Sequence, residues 1–170
     1  MSDEIKVPVR YIPANLTRTD RKKQSHYLKK SRKQYVSGKY YTRPKVKSFQ
    51  SKPSEHVRRA EKMYGVDRVV PNRALSKATH CSIDAMTQIV KKGEGAYYSS
   101  GSRPNQSAQS WGYARLASAL TGGKSSAVDF HILEKGCDHK KSKAYKLAKQ
   151  SLKKYNYGRR HTKRVTMRAN

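Results

Sequence analysis

Four side chains could together supply the ligands of a zinc site. His80 and Cys81 are adjacent, and a single residue separates Cys137 from His139. Paired ligands of structural zinc sites usually have two to four residues between them, so this spacing argues against a metal. Two cysteines also cannot build a disulfide scaffold, and the default expectation is a reducing compartment. We therefore predict neither a metal nor any other cofactor.

Two further patterns suggest catalysis but match its requirements poorly. Gly122-Gly123-Lys124-Ser125 resembles a phosphate-binding loop, but the motif needs a glycine at the position of Ser118 and a strand in front of it. Asp129 and Glu134 are five residues apart on a predicted helix, so they do not share a face well. No ordered set of carboxylates is present to hold magnesium. The sequence favours a protein that is not an enzyme and has no small-molecule substrate.

Positive charge is the dominant chemical feature of the chain. Its 170 residues include 39 Lys and Arg against 11 Asp and Glu, a net charge of +28. Lysines and arginines that bind the phosphates of a nucleic acid release its counterions, which favours binding. The composition therefore indicates a polyanionic partner. No apolar run is long enough to span a membrane, and the N-terminus lacks the apolar stretch of a secretory signal. We expect no membrane partner.

The charge is concentrated at the two ends. Residues 1–54 and 139–170 each carry a net charge of +12, whereas residues 55–138 carry only +4. We therefore predict a basic N-terminal extension over 1–54, a small compact helical domain over 55–138, and a basic C-terminal helix and tail over 139–170. The predicted fold class is mainly α, with an irregular Gly/Ser-rich loop and room for a short β element.

Capping residues and apolar spacing predict a series of helices. They begin after Thr17 or Thr19, Ser54, Asn72, Ser82, Ser107, and Ser125 or Ser126, and end near Val36, Gly65, Ala78, Gly93, Leu120 and Gly136 respectively. The pair over 73–92 has the outline of a helix-turn-helix, which is a weak signal for DNA reading. Gly112 is predicted to let another backbone approach closely.

Within residues 39–53, the aromatic residues Tyr40, Tyr41 and Phe49 are interleaved with lysines and arginines. Single-stranded nucleic acids are bound by surfaces on which cations follow the phosphates and aromatic rings stack on bases. The alternative is a linker whose rings pack against the core. The predicted nucleic-acid contacts are Lys22, Lys23, Lys29, Lys30, Arg32, Lys33, Tyr40, Tyr41 and Arg43 at the N-terminal side, and Lys153, Lys154, Arg159, Arg160, Lys163 and Arg164 at the C-terminal side.

The stretch over 93–107 is rich in glycine and serine and is predicted to be irregular. Exposed backbone N–H groups and an arginine fork could bind an anion there, with Ser99, Ser100, Gly101, Ser102 and Arg103 as the candidate residues. The alternative is an ordered structural loop in which Arg103 bonds backbone carbonyls and Tyr97 and Tyr98 fill the core. A weaker alternative is an enzyme whose site is Tyr97–Gln106 with Arg115 and Asp129.

Three stretches carry a resemblance to a known family. They are the run from Lys91 to Ser107, the run Ser110-Trp111-Gly112-Tyr113-Ala114-Arg115-Leu116, and Asp129 with His131-Ile132-Leu133. Together they resemble an uncharacterised domain family of small basic proteins encoded by large nucleocytoplasmic DNA viruses, including algal and amoebal giant viruses. The resemblance covers roughly residues 5–150. It implies a viral protein, present in the virion or in the cytoplasm or nucleus of an infected cell, and it brings no catalytic residues.

Two functions from different classes follow from these observations. The first is a structural protein of the virion that binds nucleic acid, DNA in the first place, without sequence preference through its basic segments. The alternative is a minor capsid or cement protein whose basic segments bridge acidic faces of neighbouring capsid subunits.

Overall fold

The computed structural model describes residues 4–159 and 162–167. Within this part the fold is mainly helical, with one small sheet, which confirms the predicted fold class. The strands are β1 (Ile5–Pro8) and β2 (Arg164–Met167); the helices are α1 (Arg18–Val36), α2 (Glu55–Tyr64), α3 (Arg73–Thr79), α4 (Ile83–Ser99), α5 (Ala108–Leu120), α6 (Lys124–Val128), α7 (Phe130–Gly136) and α8 (Lys143–Lys154).

The described residues form two compact units that do not follow the three predicted segments. The first unit contains 4–52, 95–108 and 162–167, and the second contains 53–94 and 109–159. The N-terminal segment that was predicted as an extension is thus part of a folded unit. The predicted C-terminal segment is divided, because α8 belongs to the second unit and β2 to the first.

The first unit has its own core. β1 and β2 pair antiparallel, with Val7 opposite Val165. Helix α1 begins after Thr17, whose hydroxyl accepts a hydrogen bond from the Asp20 backbone at 3.2 Å, as its capping pattern predicted. One stripe of α1 is buried, although Leu28 is its only apolar member. The core is completed by Val7, Tyr11, Ile12, Leu16, Val46, Tyr97 and Met167.

The second unit is built around a helix crossing that only glycine permits. A Cβ atom on Gly93 of α4 would lie 2.6 Å from the Gly112 Cα of α5, and one on Gly112 would lie 2.6 Å from the Val90 carbonyl oxygen. The predicted close approach at Gly112 is therefore confirmed. Around this crossing pack Met86, Ile89, Leu116, Leu120 and Leu133, all fully buried.

The bounds predicted for two helices were wrong. Helix α4 continues through Gly93 and ends at Ser99. Glycine is needed at position 93 because α5 packs closely there, and it does not mark a helix end. The single helix predicted from Ser125 or Ser126 to Gly136 is two helices, α6 and α7, which meet at Asp129, and the first of them already begins at Lys124, after Gly123. The irregular part of the 93–107 stretch is thus restricted to the residues after Ser99.

The two cysteines form a disulfide in the second unit, which corrects the expectation of two reduced thiols. Cys81 and Cys137 are 56 residues apart in sequence and are bonded to each other. Backbone hydrogen bonds hold the two segments on either side, from Ser82 N–H to the Gly136 carbonyl at 2.7 Å and from Asp138 N–H to the His80 carbonyl at 2.8 Å. Sequence spacing could not show this pairing, because the tertiary fold creates it.

We expect the double change Cys81→Ala and Cys137→Ala to lower the free energy of unfolding by about 3–4 kcal/mol, because the bond closes a long loop in the unfolded chain. Urea unfolding followed by fluorescence of Trp111, the single tryptophan, measures this difference. A reductant should shift the wild-type midpoint and leave that of the double variant unchanged. Equal midpoints for the wild type with and without reductant would contradict the prediction.

Candidate nucleic-acid interface

One face of α1 is a line of cationic side chains. Arg18, Lys22, Lys29 and Lys33 recur at intervals of four, seven and four residues, which places them on one side of a helix. That side is opposite the buried stripe of α1, and the line is about 22 Å long at 1.5 Å per residue. Arg18, Lys22 and Lys33 are exposed and Lys29 is half-buried. We call these four residues the α1 ridge.

The one acidic residue of α1 does not neutralise the ridge. Asp20 is buried, and its carboxylate accepts a hydrogen bond from the Ser48 backbone N–H at 2.7 Å. Hydrogen bonds from the Ser48 side chain and backbone hold the pKa of Asp20 below its usual value. The carboxylate therefore stays charged but is committed to holding the 45–49 segment against the buried side of the helix.

Exposed tyrosines lie at the C-terminal end of α1. Tyr40 is 71% exposed, and its ring centroid is 5.1 Å from that of Tyr98 and 6.3 Å from that of Tyr35. Tyr41 is half-buried, with the Lys30 ammonium 4.6 Å from its ring centroid. Accessible rings such as that of Tyr40 are what a single-stranded nucleic acid needs for stacking. We call Tyr35, Tyr40 and Tyr98 the tyrosine cluster.

Arg43 was predicted to contact phosphate, and this is wrong because its side chain is buried at 6% exposure. One terminal nitrogen donates to the Tyr97 carbonyl at 2.6 Å and to the Ser31 hydroxyl at 3.0 Å, and the other donates to the Ser102 hydroxyl at 2.7 Å. The guanidinium carbon lies 3.7 Å from the centre of the Tyr97 ring. The residue is therefore a structural hub.

The Arg43 guanidinium forms no ion pair in the described part of the chain. Burial lowers its pKa, and the nearby Tyr97 acts in the opposite direction. The neutral acceptors and the aromatic face thus take the place of a carboxylate, which is an arrangement that the planar arginine fork allows and lysine does not.

Arg32 is half-buried and also has a structural contact. Its Nε and one terminal nitrogen donate to the Ser100 carbonyl at 3.0 and 2.7 Å, and burial lowers its pKa. Of the other cations predicted on this helix, Lys23 and Lys30 are exposed beside the α1 ridge. The prediction did not separate the residues of α1 that face solvent from those that hold the fold.

Two backbone donors of the candidate anion-binding loop are already in use within the fold. The N–H groups of Ser100 and Gly101 both donate to the Ala96 carbonyl at 2.9 Å and so close the end of α4, whose last residue is Ser99. Gly101 has a φ of +123°, and a Cβ there would lie 2.7 Å from Leu28 Cδ2. Ser102 is buried against Arg43. These contacts support the structural alternative for this loop.

The role expected of Arg103 in that structural loop belongs to Arg43 instead. Arg43, and not Arg103, bonds the backbone carbonyl of Tyr97. Tyr97 is fully buried and its hydroxyl accepts the Arg43 N–H at 3.0 Å, while Tyr98 is half-buried beside it. Arg103 is exposed. The arginine that holds this loop is therefore Arg43.

The predicted C-terminal contacts belong to different parts of the structure. Lys153, Lys154 and Arg159 are exposed in the second unit, whereas Lys163 and Arg164 are exposed in the first. Arg160 lies outside the described residues. These cations are therefore divided between the two units.

The carboxylate of the weaker enzyme alternative, Asp129, is engaged in salt bridges. Asp129 is fully buried and accepts two hydrogen bonds of 2.8 Å from Arg115 and one of 2.9 Å from the Lys92 ammonium. Burial alone would raise the pKa of Asp129, but the hydrogen bonds and charges of Arg115 and Lys92 lower it below its usual value. An ionised carboxylate that is held by two cations stabilises the junction of α6 and α7.

Within the described residues, no group of three or more His, Cys, Asp and Glu side chains is arranged to hold a metal ion. The sulfurs of Cys81 and Cys137 are bonded to each other, and the His139 ring stacks on Tyr145 at 4.1 Å. None of the helices that the structure describes is long and apolar enough to cross a membrane.

Arg18, Tyr35 and Tyr98 are part of the candidate interface but were not among the predicted contacts. A helical projection of α1 could have found Arg18, since it precedes Lys22 by four residues. Tyr98 gave no such signal, because the stretch containing it was predicted as loop and α4 continues into it.

The structure thus defines a small, mainly helical and strongly basic protein with a cationic face on α1 and exposed tyrosines at the C-terminal end of that helix. The chain belongs to a family of unknown function, DUF5824, whose family model matches residues 8–134. The resemblance to an uncharacterised family is thereby confirmed. Searches of curated proteins and of solved structures gave no significant match.

We expect Arg43→Lys to destabilise the first unit by about 2–3 kcal/mol, since lysine cannot reproduce the fork that serves Ser31, Tyr97 and Ser102. Amide hydrogen exchange over residues 96–102 measures the local loss of protection. Lys45→Arg, at an exposed position nearby, is the control and should leave exchange unchanged. If Arg43→Lys keeps the wild-type protection against exchange, the hydrogen bonds of the Arg43 guanidinium are dispensable.

We expect Asp129→Asn to lower the free energy of unfolding by roughly 2–3 kcal/mol at neutral pH, because Arg115 and Lys92 lose their partner; their partial exposure keeps the loss below that of a fully buried pair. Glu134→Gln, which removes an exposed charge, is the control.

The same variant tests the pH dependence. The folded-state pKa of Asp129 is lowered, so its stabilisation is present above the usual value of 3.8 and is lost as the pH falls through the lower folded-state value. Urea unfolding from neutral pH downwards should therefore show a smaller acid-induced loss for Asp129→Asn than for the wild type. Parallel losses for the two proteins would exclude this role.

Proposed function

We propose that this protein binds nucleic acid without sequence preference, through the α1 ridge and the tyrosine cluster of the first unit. The observation that carries the proposal is that one unit holds both a cationic helix face and accessible rings. The ridge supplies charges at intervals along a line, which suits a regularly charged polymer better than a single small anion.

The charge of the first unit supports this proposal. Together with the terminal residues of the chain it includes 19 Lys and Arg against three acids, a net charge of +16. Asp20, the acid of α1, is buried and bonded to Ser48. Exposed Lys22, Lys23, Lys30 and Lys33 form no ion pair within the described part of the chain, so their charge is available to phosphates.

The tyrosines indicate which form of nucleic acid is preferred. Bases of a duplex are stacked on each other, whereas those of a single strand can stack on protein rings. Tyr40 is the most exposed member of the cluster and is supported by Tyr98 below it. We therefore propose a preference for single-stranded over duplex DNA. The resemblance described above supports a viral genome, in the virion or the infected cell, as the target.

A fluorescence-anisotropy titration of single-stranded and duplex DNA over a salt series tests the proposal. We expect log affinity to fall linearly with log salt, with a slope that implies about six or more neutralised phosphates. Changing Lys22, Lys29 and Lys33 together to Gln should reduce that slope by roughly two to three for either form of DNA. The matched control changes three exposed lysines of the second unit, Lys77, Lys135 and Lys146, to Gln. It should reduce the salt slope less than the ridge variant does.

We expect Tyr40→Leu to weaken single-stranded binding by about ten-fold while duplex binding changes little, because a stacking contact contributes about 1–3 kcal/mol per base. The control is Tyr157→Leu, an exposed tyrosine of the second unit. Equal losses for the two variants would refute the role of the cluster. Weak binding of all DNA near physiological salt would refute the proposal itself and favour the alternative of a capsid-bridging protein.

A further inference from the structure

The first unit contains an open pocket that the proposed function does not use. Its volume is about 490 Å³, within the range of small-molecule sites. The apolar wall includes Val9, Pro13 and Phe49, and the lining also contains Thr162 and the cationic residues Arg10, Arg103 and Lys163. These residues come from four separate stretches of the chain, so no local sequence pattern reveals the pocket.

The three cations of the pocket form no ion pair in the described part of the chain. Arg103 is partly desolvated, and this burial together with the nearby charge of Arg10 lowers its pKa. Two guanidinium groups that repel each other without a carboxylate between them are stabilised by a bound anion. Arginine binds phosphate oxygens through paired hydrogen bonds, which makes phosphate the best match among common anions.

The walls of the pocket are held by contacts in the body of the unit. Arg103 follows Ser102, which is bonded to the buried Arg43. The Phe49 carbonyl accepts a hydrogen bond of 2.7 Å from the Asn105 side chain, and the Val9 N–H donates to the Lys163 carbonyl at 3.0 Å. The backbone at Arg103, Phe49 and Lys163 is thus positioned before any ligand arrives, which reduces the entropic cost of binding.

We propose that this pocket binds a nucleoside phosphate, with the phosphate between Arg10 and Arg103 near Lys163 and the base against Phe49. An apolar, aromatic wall beside clustered cations matches a ligand with one flat ring and one anionic end. The ligand is either a free nucleotide or the phosphorylated end of a nucleic acid, which share this chemistry. The site uses none of the α1 ridge residues and does not depend on the proposed function.

The test is calorimetric titration of the full-length, disulfide-bonded protein with AMP and, separately, with inorganic phosphate. We expect saturable binding of AMP at one site. Arg103→Gln should weaken it by about ten-fold, the loss expected for a charge-assisted contact. Lys45→Gln removes the same charge at an exposed position outside the pocket and should leave the affinity within about two-fold.

Phe49→Leu separates recognition of the base from recognition of the phosphate. It should weaken AMP by about five-fold, since a stacking contact is lost, and leave phosphate binding unchanged. Competition with end-phosphorylated and end-hydroxylated oligonucleotides then identifies the source: displacement by the phosphorylated form alone assigns the pocket to a nucleic-acid end, and no displacement assigns it to a free nucleotide.

Three results would overturn the proposal. They are the absence of saturable AMP binding to the wild type, equal losses in Arg103→Gln and Lys45→Gln, and equal losses for AMP and phosphate in Phe49→Leu. Failure here is distinguishable from failure of the proposed function. The lysine changes on the α1 ridge should leave AMP affinity within about two-fold, and Arg103→Gln should leave the salt slope for long DNA unchanged within about one.

Discussion

The buried guanidinium of Arg43 is the interaction on which the first unit depends. Its hydrogen bonds join α1 at Ser31, the end of α4 at Tyr97 and the following loop at Ser102. A unit with few apolar residues on its longest helix needs polar contacts to define its geometry, and a fully satisfied polar network does this. The tyrosine cluster and the Arg103 side of the pocket are both attached to segments that Arg43 holds.

The second unit obtains its geometry in a different way. There the glycines of α4 and α5 allow close helix packing, the Cys81–Cys137 bond joins distant segments, and Asp129 binds two cations at the start of α7. Its large apolar cluster makes it a conventional helical core. Charge is also abundant on this unit, but with eight acidic residues in its sequence it is less one-sided than the first.

Local signals predicted the helices well where those signals were sufficient. Thr17, Ser54 and Asn72 each cap a helix through their side chains, as predicted. The signals failed at Gly93, where a residue typical of helix ends is instead required for packing, and at Asp129, where a turn is stabilised by Arg115 and Lys92. In both cases the deciding partner is distant in sequence.

The sequence by itself determined the helical class, the extreme positive charge, most capping positions and the helix that carries the candidate interface. These properties depend on composition or on residues within a few positions of one another. Only the tertiary structure decided that Arg43 is buried while Arg103 faces solvent, that two cysteines pair, and that Arg10, Phe49, Arg103 and Lys163 surround one pocket. The physical reason is that burial and pairing depend on contacts between segments far apart in the chain, about which the identity of a single residue says little.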